Sequence, residues 1–385
     1  MTSRAIIVAF AVAVVSSHSI AAEPQAAWWS AEVEQALQRA KDNRPELEKA
    51  LNGAPIDQRK GMAFLIENMP DPDLRSLKAD FLLSNVELAY KARKEVPWGK
   101  DIPDEIFLND VLPYANVDER RDAWRKEFYE LCMPIVKDCK TPAEATQKLN
   151  GELFKKLKVG YSTQRKAANQ SPKESIESGK ASCTGLSIVL SDGCRAVCIP
   201  ARLVGTPLWA DKRGNHTWVE IWDKEWHFTG ACEPDPSGLD RGWFVGSAAQ
   251  AKKDVPEHAI YAASFKKTKQ YFPMVWAASN KNVPGENVTD RYAKPVAKTD
   301  IFKLQVKVVN AANKRVAVKV SVTAADAAKK QYDGTSLDET ADTNNFLTID
   351  LPPNTECTVE VGGVTKTVKT GAAGEKRLIE FQVKP

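Results

Sequence analysis

The chain changes its hydrophobic period near residue 200. Before that point apolar positions recur every three or four residues and predict helices over 31–41, 45–51, 58–67, 74–93, 104–112 and 119–140. Thr141-Pro142-Ala143-Glu144 reads as a further helix start, with Thr141 as cap, Pro142 at the first position and Glu144 closing a capping box. That helix runs to about 157. Residues 159–182 are polar and read as a loop. Ser182 then caps another helix, whose apolar positions Leu186, Val189, Leu190 and Val197 stop at Pro200.

Beyond 200 the period falls to two. Leu203 and Val204 read as a short buried strand. From 215 to 222 the alternation puts His216, Trp218, Glu220 and Trp222 on one face, and the turn Asp223-Lys224-Glu225 predicts a return strand over 226–231. After 301 five more alternating stretches, 302–308, 315–322, 346–351, 357–361 and 377–383, predict a small β-sandwich. The expected division is 1–22 signal peptide, 23–140 helical region, 141–265 core, 266–300 linker and 301–385 β-sandwich.

Two side chains on separate elements carry the candidate chemistry. Cys183 opens the helix capped by Ser182, where unpaired N–H groups and the positive end of the helix dipole favour an anionic nucleophile. His216 begins the alternating strand and can serve as its base. A cysteine at a helix start, taken alone, is as well explained by burial, and a strand histidine by a bond to a backbone carbonyl. The registry between the two is what raises the catalytic reading. His227 reads as a hydrogen-bonded neighbour of the cleft, His258 as an exposed loop residue, and Glu220 with Arg202 as a structural ion pair. Gln164 and Gln170 are candidate oxyanion donors by residue type only.

The order Ser182-Cys183-Thr184-Gly185, then Ile199-Pro200-Ala201-Arg202, then His216-Thr217-Trp218-Val219-Glu220 and Trp226 resembles the transglutaminase-like superfamily. The resemblance covers about 100 residues, from near Ala143 to Phe244. It implies an α+β fold, a papain-like transglutaminase core in which a Cys-bearing helix packs on an antiparallel sheet bearing His and an acid. It implies acyl transfer through a thioester on a protein or peptide substrate, with hydrolysis favoured over cross-linking. The family's usual acid falls four residues after Trp226, where this chain has Gly230. Glu233 is therefore the expected third catalytic residue beside Cys183 and His216, with Asp235 second. The competing reading is a non-catalytic scaffold that keeps the fold and binds through the β-module.

Composition narrows the classes. The formal charge of +4, from 54 basic and 50 acidic residues, and the lack of a basic helix or zinc finger exclude a dedicated nucleic-acid binder. Arg4, the apolar run 5–15 and the small residues Ser19-Ile20-Ala21-Ala22 read as an export signal too short to span a bilayer, so a periplasmic or secreted protein is expected, with no membrane span after signal removal. The seven cysteines lack Cys-x-x-Cys pairing, so no zinc site is expected, nor any other cofactor. No EF-hand-type loop supports calcium. Cys194 and Cys198, one turn apart on the predicted helix, are either bridged or buried as small apolar residues.

Overall fold

The computed structural model describes residues 27–293, 300–325 and 329–384. The expected export signal at 1–22 lies outside the described residues. Among the described residues no helix is long and apolar enough to cross a membrane.

The amino-terminal part is helical: Ala31–Arg39, Arg44–Gly53, Arg59–Asn68, Ala79–Glu95 and Asp104–Asp110. Ser30 caps the first of these by accepting from the Val33 N–H. The stretch read as one helix over 74–93 is broken, with a single turn at Asp71–Leu74 ahead of Ala79. The helix expected over 119–140 begins only at Arg125 and ends at Val136. Buried polar groups explain the delay. The Glu119 carboxylate accepts from the N–H groups of Asn116 and Val117 at 2.6 and 2.8 Å, closing a turn. The buried Arg125 guanidinium donates to the carbonyls of Val111, Leu112, Pro113 and Arg195, which pins the first residue of the helix against the preceding loop.

The helix Pro142–Leu157 starts at the Thr141 cap, although Glu144 accepts from the Lys140 N–H rather than from that of Thr141. The expected loop 159–182 holds a short helix, Pro172–Ser178, closed by a capping box between Ser171 and Glu174. It also holds a short parallel pairing of Gly160–Tyr161 with Lys180–Ala181. The helix that Cys183 opens is Cys183–Ala196, and residues 184–196 are all buried. It packs between Arg125–Val136 on one side and the strands Ala201–Thr206 and His216–Asp223 on the other. One hydrophobic core runs from Val33 to Ile221 and on to Ala231, so the helical region and the helix Cys183–Ala196 share an interior.

The core sheet is antiparallel and six-stranded, in the order Glu225–Thr229, His216–Asp223, Ala201–Thr206, Tyr261–Ala263, Pro284–Asn287, Gln270–Tyr271. Two of these strands come from 266–300, read in sequence as a linker. They belong to the sheet because Phe272, Met274 and Val283 bury against Leu203 and Ile188.

The carboxy-terminal part is a β-sandwich with its own core, including Phe302, Leu304, Val320, Val322, Val359 and Phe381. One sheet has four strands and the other three. The fold is thus α+β, a helix-on-sheet core followed by a sandwich. The strand expected over 315–322 lies at Lys319–Ala324, and two strands not expected, Gln331–Thr335 and Val364–Lys369, complete the four-stranded sheet.

Candidate active site

The site grows from the start of the helix Cys183–Ala196. Ser182, in extended conformation, accepts from the Gly185 N–H at 3.0 Å, and the helix begins at the next residue. That leaves the first-turn N–H groups of Cys183 and Thr184 without intrahelical acceptors, at the helix end that carries the half-buried Cys183 thiol. Thr184 and Ser187 bind the neighbouring strand at the Thr217 hydroxyl and carbonyl, which fixes the helix against His216.

His216 is 3% exposed. Its ring lies among Trp243 at 4.7 Å, Phe244 at 5.0 Å and Trp218 at 5.9 Å between centroids. The alternation on this strand is kept: Trp218 stacks on Phe244, and Glu220 receives Arg202 at 2.8 and 2.9 Å and Tyr292 at 2.7 Å. Across the sheet Gly205 is pressed close, since a Cβ there would sit 2.8 Å from the His216 carbonyl oxygen.

The carboxylate nearest the imidazole comes from the sandwich. Asp342 Oδ2 lies 3.6 Å from His216 Nδ1, an ion-pair contact just beyond hydrogen-bond length. The Cys183 sulfur, one ring nitrogen of His216 and one Asp342 oxygen all lie within 4.8 Å of one another. Burial works against the imidazolium, yet Asp342 and Cys183 outweigh it and hold His216 up at about 10. Burial likewise disfavours the Asp342 anion, but His216 and the Asn344 N–H bring its pKa below the ordinary value.

The loop that delivers Asp342 is braced from within the sandwich. Arg315, itself buried, donates to the carbonyls of Ala341, Asp342 and Asn345. The Asp342 Oδ1 atom accepts from the Asn344 N–H at 2.8 Å, which leaves Oδ2 for His216. The loop is tied to the core as well: Asn344 Nδ2 donates to the Asn215 carbonyl at 3.1 Å and the Thr343 N–H to the Tyr161 hydroxyl at 3.2 Å. Cys183, His216, Glu233, Thr340 and Asp342 line a cleft of about 50 Å³.

The structure differs from the sequence expectation at Glu233 and Asp235. Glu233 reaches the cleft, but its Oε2 accepts from Trp243 Nε1 at 2.8 Å and no ion pair joins it to His216. The reason is local. The chain turns back between Gly230 and Glu233, with Cys232 at φ 66°, and a Cβ at Gly230 would lie 3.0 Å from Glu233 Oε2. The Glu233 carboxylate therefore folds over the room that Gly230 leaves. Burial raises its pKa against the pull of His216. Asp235 closes a small turn by accepting from the Ser237 N–H and does not line the cleft.

Other candidates fall elsewhere. Gln170 is buried and fully engaged with the backbone of 166, 167 and 180 and the Ser178 hydroxyl, and Gln164 accepts from Lys180, so neither lines the cleft. His227 pairs with Asp240 at 2.7 Å on a separate groove. His258, expected to be exposed, is buried with Nδ1 3.1 Å from the Leu208 carbonyl. Cys198 lies beyond the helix at φ 56°, off the turn that would have aligned it with Cys194. Cys132, Cys139, Cys183, Cys194, Cys198 and Cys232 are all thiols. Burial pushes Cys194 and Cys198 up to about 12 and Cys232 to about 11, which makes them poor nucleophiles. Asp342 was missed because it sits in a polar loop with no periodicity and no motif. Only the three-dimensional docking of the sandwich reveals it.

Residues 129–244 match the transglutaminase-like superfamily. Among known structures, a candidate cysteine protease from Cytophaga hutchinsonii is 17% identical over 38% of this chain and 48% of its own, with a TM-score of 0.28. The match thus spans about half of that protein's length. Red sea bream transglutaminase is 11% identical over 72% of this chain and 66% of its own, with a TM-score of 0.33. A C-terminal fragment of the pilus adhesin SpaC from Lactobacillus rhamnosus GG is 9% identical over 48% of this chain and 88% of its own, with a TM-score of 0.17. No curated protein sequence matches the chain.

Proposed function

From a chain that carries a transglutaminase-like core over 129–244, we propose a cysteine-dependent acyl-transfer enzyme acting on peptide or carboxamide bonds. The observation that carries the reading is the convergence of Cys183, His216 and Asp342 within 4.8 Å at a helix start. In the proposed cycle the Cys183 sulfur attacks the carbonyl carbon. The first-turn N–H groups of the nucleophile helix receive the oxyanion. As the C–N bond breaks, His216 gives its proton to the departing amine, and the acyl group stays on sulfur as a thioester. Water, deprotonated by His216, then releases the acid and regenerates the thiol–imidazole pair. Asp342 is the positioning residue that orients His216 and stabilises its charged form, a role that sequence alone favoured for Glu233.

Hydrolysis is the favoured outcome over cross-linking. Hydrolysis needs only a water in the cleft shared by Cys183 and His216, whereas cross-linking needs a second, amine-bearing chain to be bound there as well. Export to the periplasm or outside the cell is proposed from Arg4 and the apolar run that follows it. N-terminal sequencing of exported protein beginning near Ala22 tests that point.

The activity is tested with glutamine-containing and plain peptides in the presence of a fluorescent primary amine. Hydrolysis predicts ammonia or peptide fragments without amine incorporation, and Cys183→Ala removes the product. A peptidyl electrophile that mimics the scissile carbonyl should label Cys183 alone. If it labels no cysteine in the native protein, acyl transfer is wrong.

A further inference from the structure

We propose that Cys183, His216 and Asp342 also form a binding site for a thiophilic divalent cation, best Zn²⁺, which blocks the nucleophile and clamps the sandwich onto the core. The inference stands apart from the catalytic reading, because it concerns binding by the resting protein.

The donor set selects the metal. A thiolate, an imidazole nitrogen and a carboxylate oxygen are the three ligand types of tetrahedral zinc, whereas Ca²⁺ and Mg²⁺ prefer oxygen alone. Geometry agrees. Zinc holds sulfur at about 2.3 Å and nitrogen or oxygen at about 2.0–2.2 Å, so its ligands stand roughly 3–4 Å from one another. Here the three donor atoms lie within 4.8 Å, and His216 Nδ1 to Asp342 Oδ2 is already 3.6 Å. A contraction of about 1 Å along side-chain torsions closes the site. The fourth position faces the cleft, where water or a substrate oxygen would complete the tetrahedron.

An independent observation points the same way. Both ring nitrogens of His216 are buried without a hydrogen-bond partner among the described residues, in a histidine only 3% exposed. Buried polar nitrogens normally find partners, and leaving one without is unfavourable. Charge balance also fits, since two anionic ligands neutralise a divalent ion in a site with aromatic walls.

The ligands come from three places: the nucleophile helix, the core sheet and the Arg315-braced loop of the sandwich. Metal would therefore tie together two parts of the molecule whose hydrophobic cores are separate. It would also occupy the lone pair on sulfur that attacks substrate. Binding thus implies both inhibition and tighter docking.

The full chain is stripped with chelator and titrated with Zn²⁺, and with Co²⁺ as a spectroscopic probe. The expected result is one ion per chain, a near-ultraviolet thiolate-to-Co²⁺ charge-transfer band and tetrahedral visible bands. Zn²⁺ should also protect Cys183 from alkylation and the 338–345 loop from proteolysis, both reversed by chelation. Cys183→Ser should abolish the charge-transfer band. Asp342→Asn should weaken Zn²⁺ binding at least tenfold and remove loop protection while keeping the band. Cys232→Ser, a cleft thiol outside the donor set, should change neither. Co²⁺ binding without a thiolate band, a band lost in Cys232→Ser rather than Cys183→Ser, or undiminished binding in Asp342→Asn overturns the site. Labelling of Cys183 by the peptidyl electrophile in metal-free protein reports separately on acyl transfer.

Discussion

His216 is an imidazole closed in by three aromatic rings and held charged by two neighbours, and this makes it one route by which pH acts on the fold. Its folded pKa, near 10, stands above the ordinary value of 6.5. A raised pKa means that the folded state binds the proton more tightly. The associated stability is complete below about pH 6.5 and fades as pH climbs toward 10. Asp342 has the opposite sign: its lowered pKa contributes above its ordinary value and is lost as pH falls through the folded one. Chemical denaturation across pH 6–10.5 should therefore show stability declining through the alkaline window. In His216→Gln that decline should flatten, and a wild-type slope persisting in the variant would disconnect it from this ring. Asp342→Asn should lower turnover by roughly two to four orders of magnitude and shift the pH profile of Cys183 alkylation. A loss of turnover without any change in that profile would mean that Asp342 only supports the loop.

At the scale of elements, the strand His216–Asp223 is held at two points, by Gly205 opposite its start and by Glu220 in its middle. Gly205 lets the neighbouring strand approach within 2.8 Å of the His216 carbonyl at the Cβ position, an obstacle made of backbone that cannot swing aside. Gly205→Ala should thus push His216 away from Cys183 and slow its labelling, with Gly160→Ala, where a Cβ meets nothing, as the neutral control. Glu220 is buried and receives Arg202, Arg291 and Tyr292, while Arg202 stacks on Trp226 at 3.8 Å. Glu220→Gln removes the counter-charge of a buried guanidinium and should cost about 3–5 kcal/mol, measurable as a lower denaturation midpoint. These elements were legible in the sequence for physical reasons. A Ser cap beside Cys183 and strict alternation from His216 leave little freedom of register. The strands Gln331–Thr335 and Val364–Lys369 were not legible, because each is largely exposed and so lacks a hydrophobic face to alternate. The Glu233 carboxylate was read as the acid from its spacing after His216, but spacing could not show a left-handed Cys232 turning it toward Trp243.

At the scale of the whole molecule, the site depends on how the sandwich sits on the core. Among the described residues, polar contacts join the two parts outside the Asp342 loop: Lys376 to Asp211 at 2.7 Å, Arg213 to Gln305 at 2.8 Å and Lys376 to the Ser247 hydroxyl at 3.3 Å. Lys376 and Asp211 are each about a quarter exposed, so salt reaches them and their contribution is modest, about 1 kcal/mol or less. Among the described residues the two hydrophobic cores are separate clusters. Polar interfaces of this kind permit relative movement of the parts they join. If Asp342 orients His216, then loosening the docking should act on chemistry from a distance. Wild-type activity should fall as ionic strength rises, whereas Asp211→Asn should lower activity at low ionic strength more than at high, and expose the 338–345 loop to protease without lowering the stability of the Cys183 helix. The same variant should leave the shape of the alkylation pH profile intact in the fraction that stays docked, which separates it from Asp342→Asn. Activity that ignores both salt and Asp211→Asn, together with an unchanged rate of loop cleavage, would mean that Arg315, Asn344 and Tyr161 fix the loop by themselves. The ion pair at Lys376 would then be removed from the account of how this site is assembled.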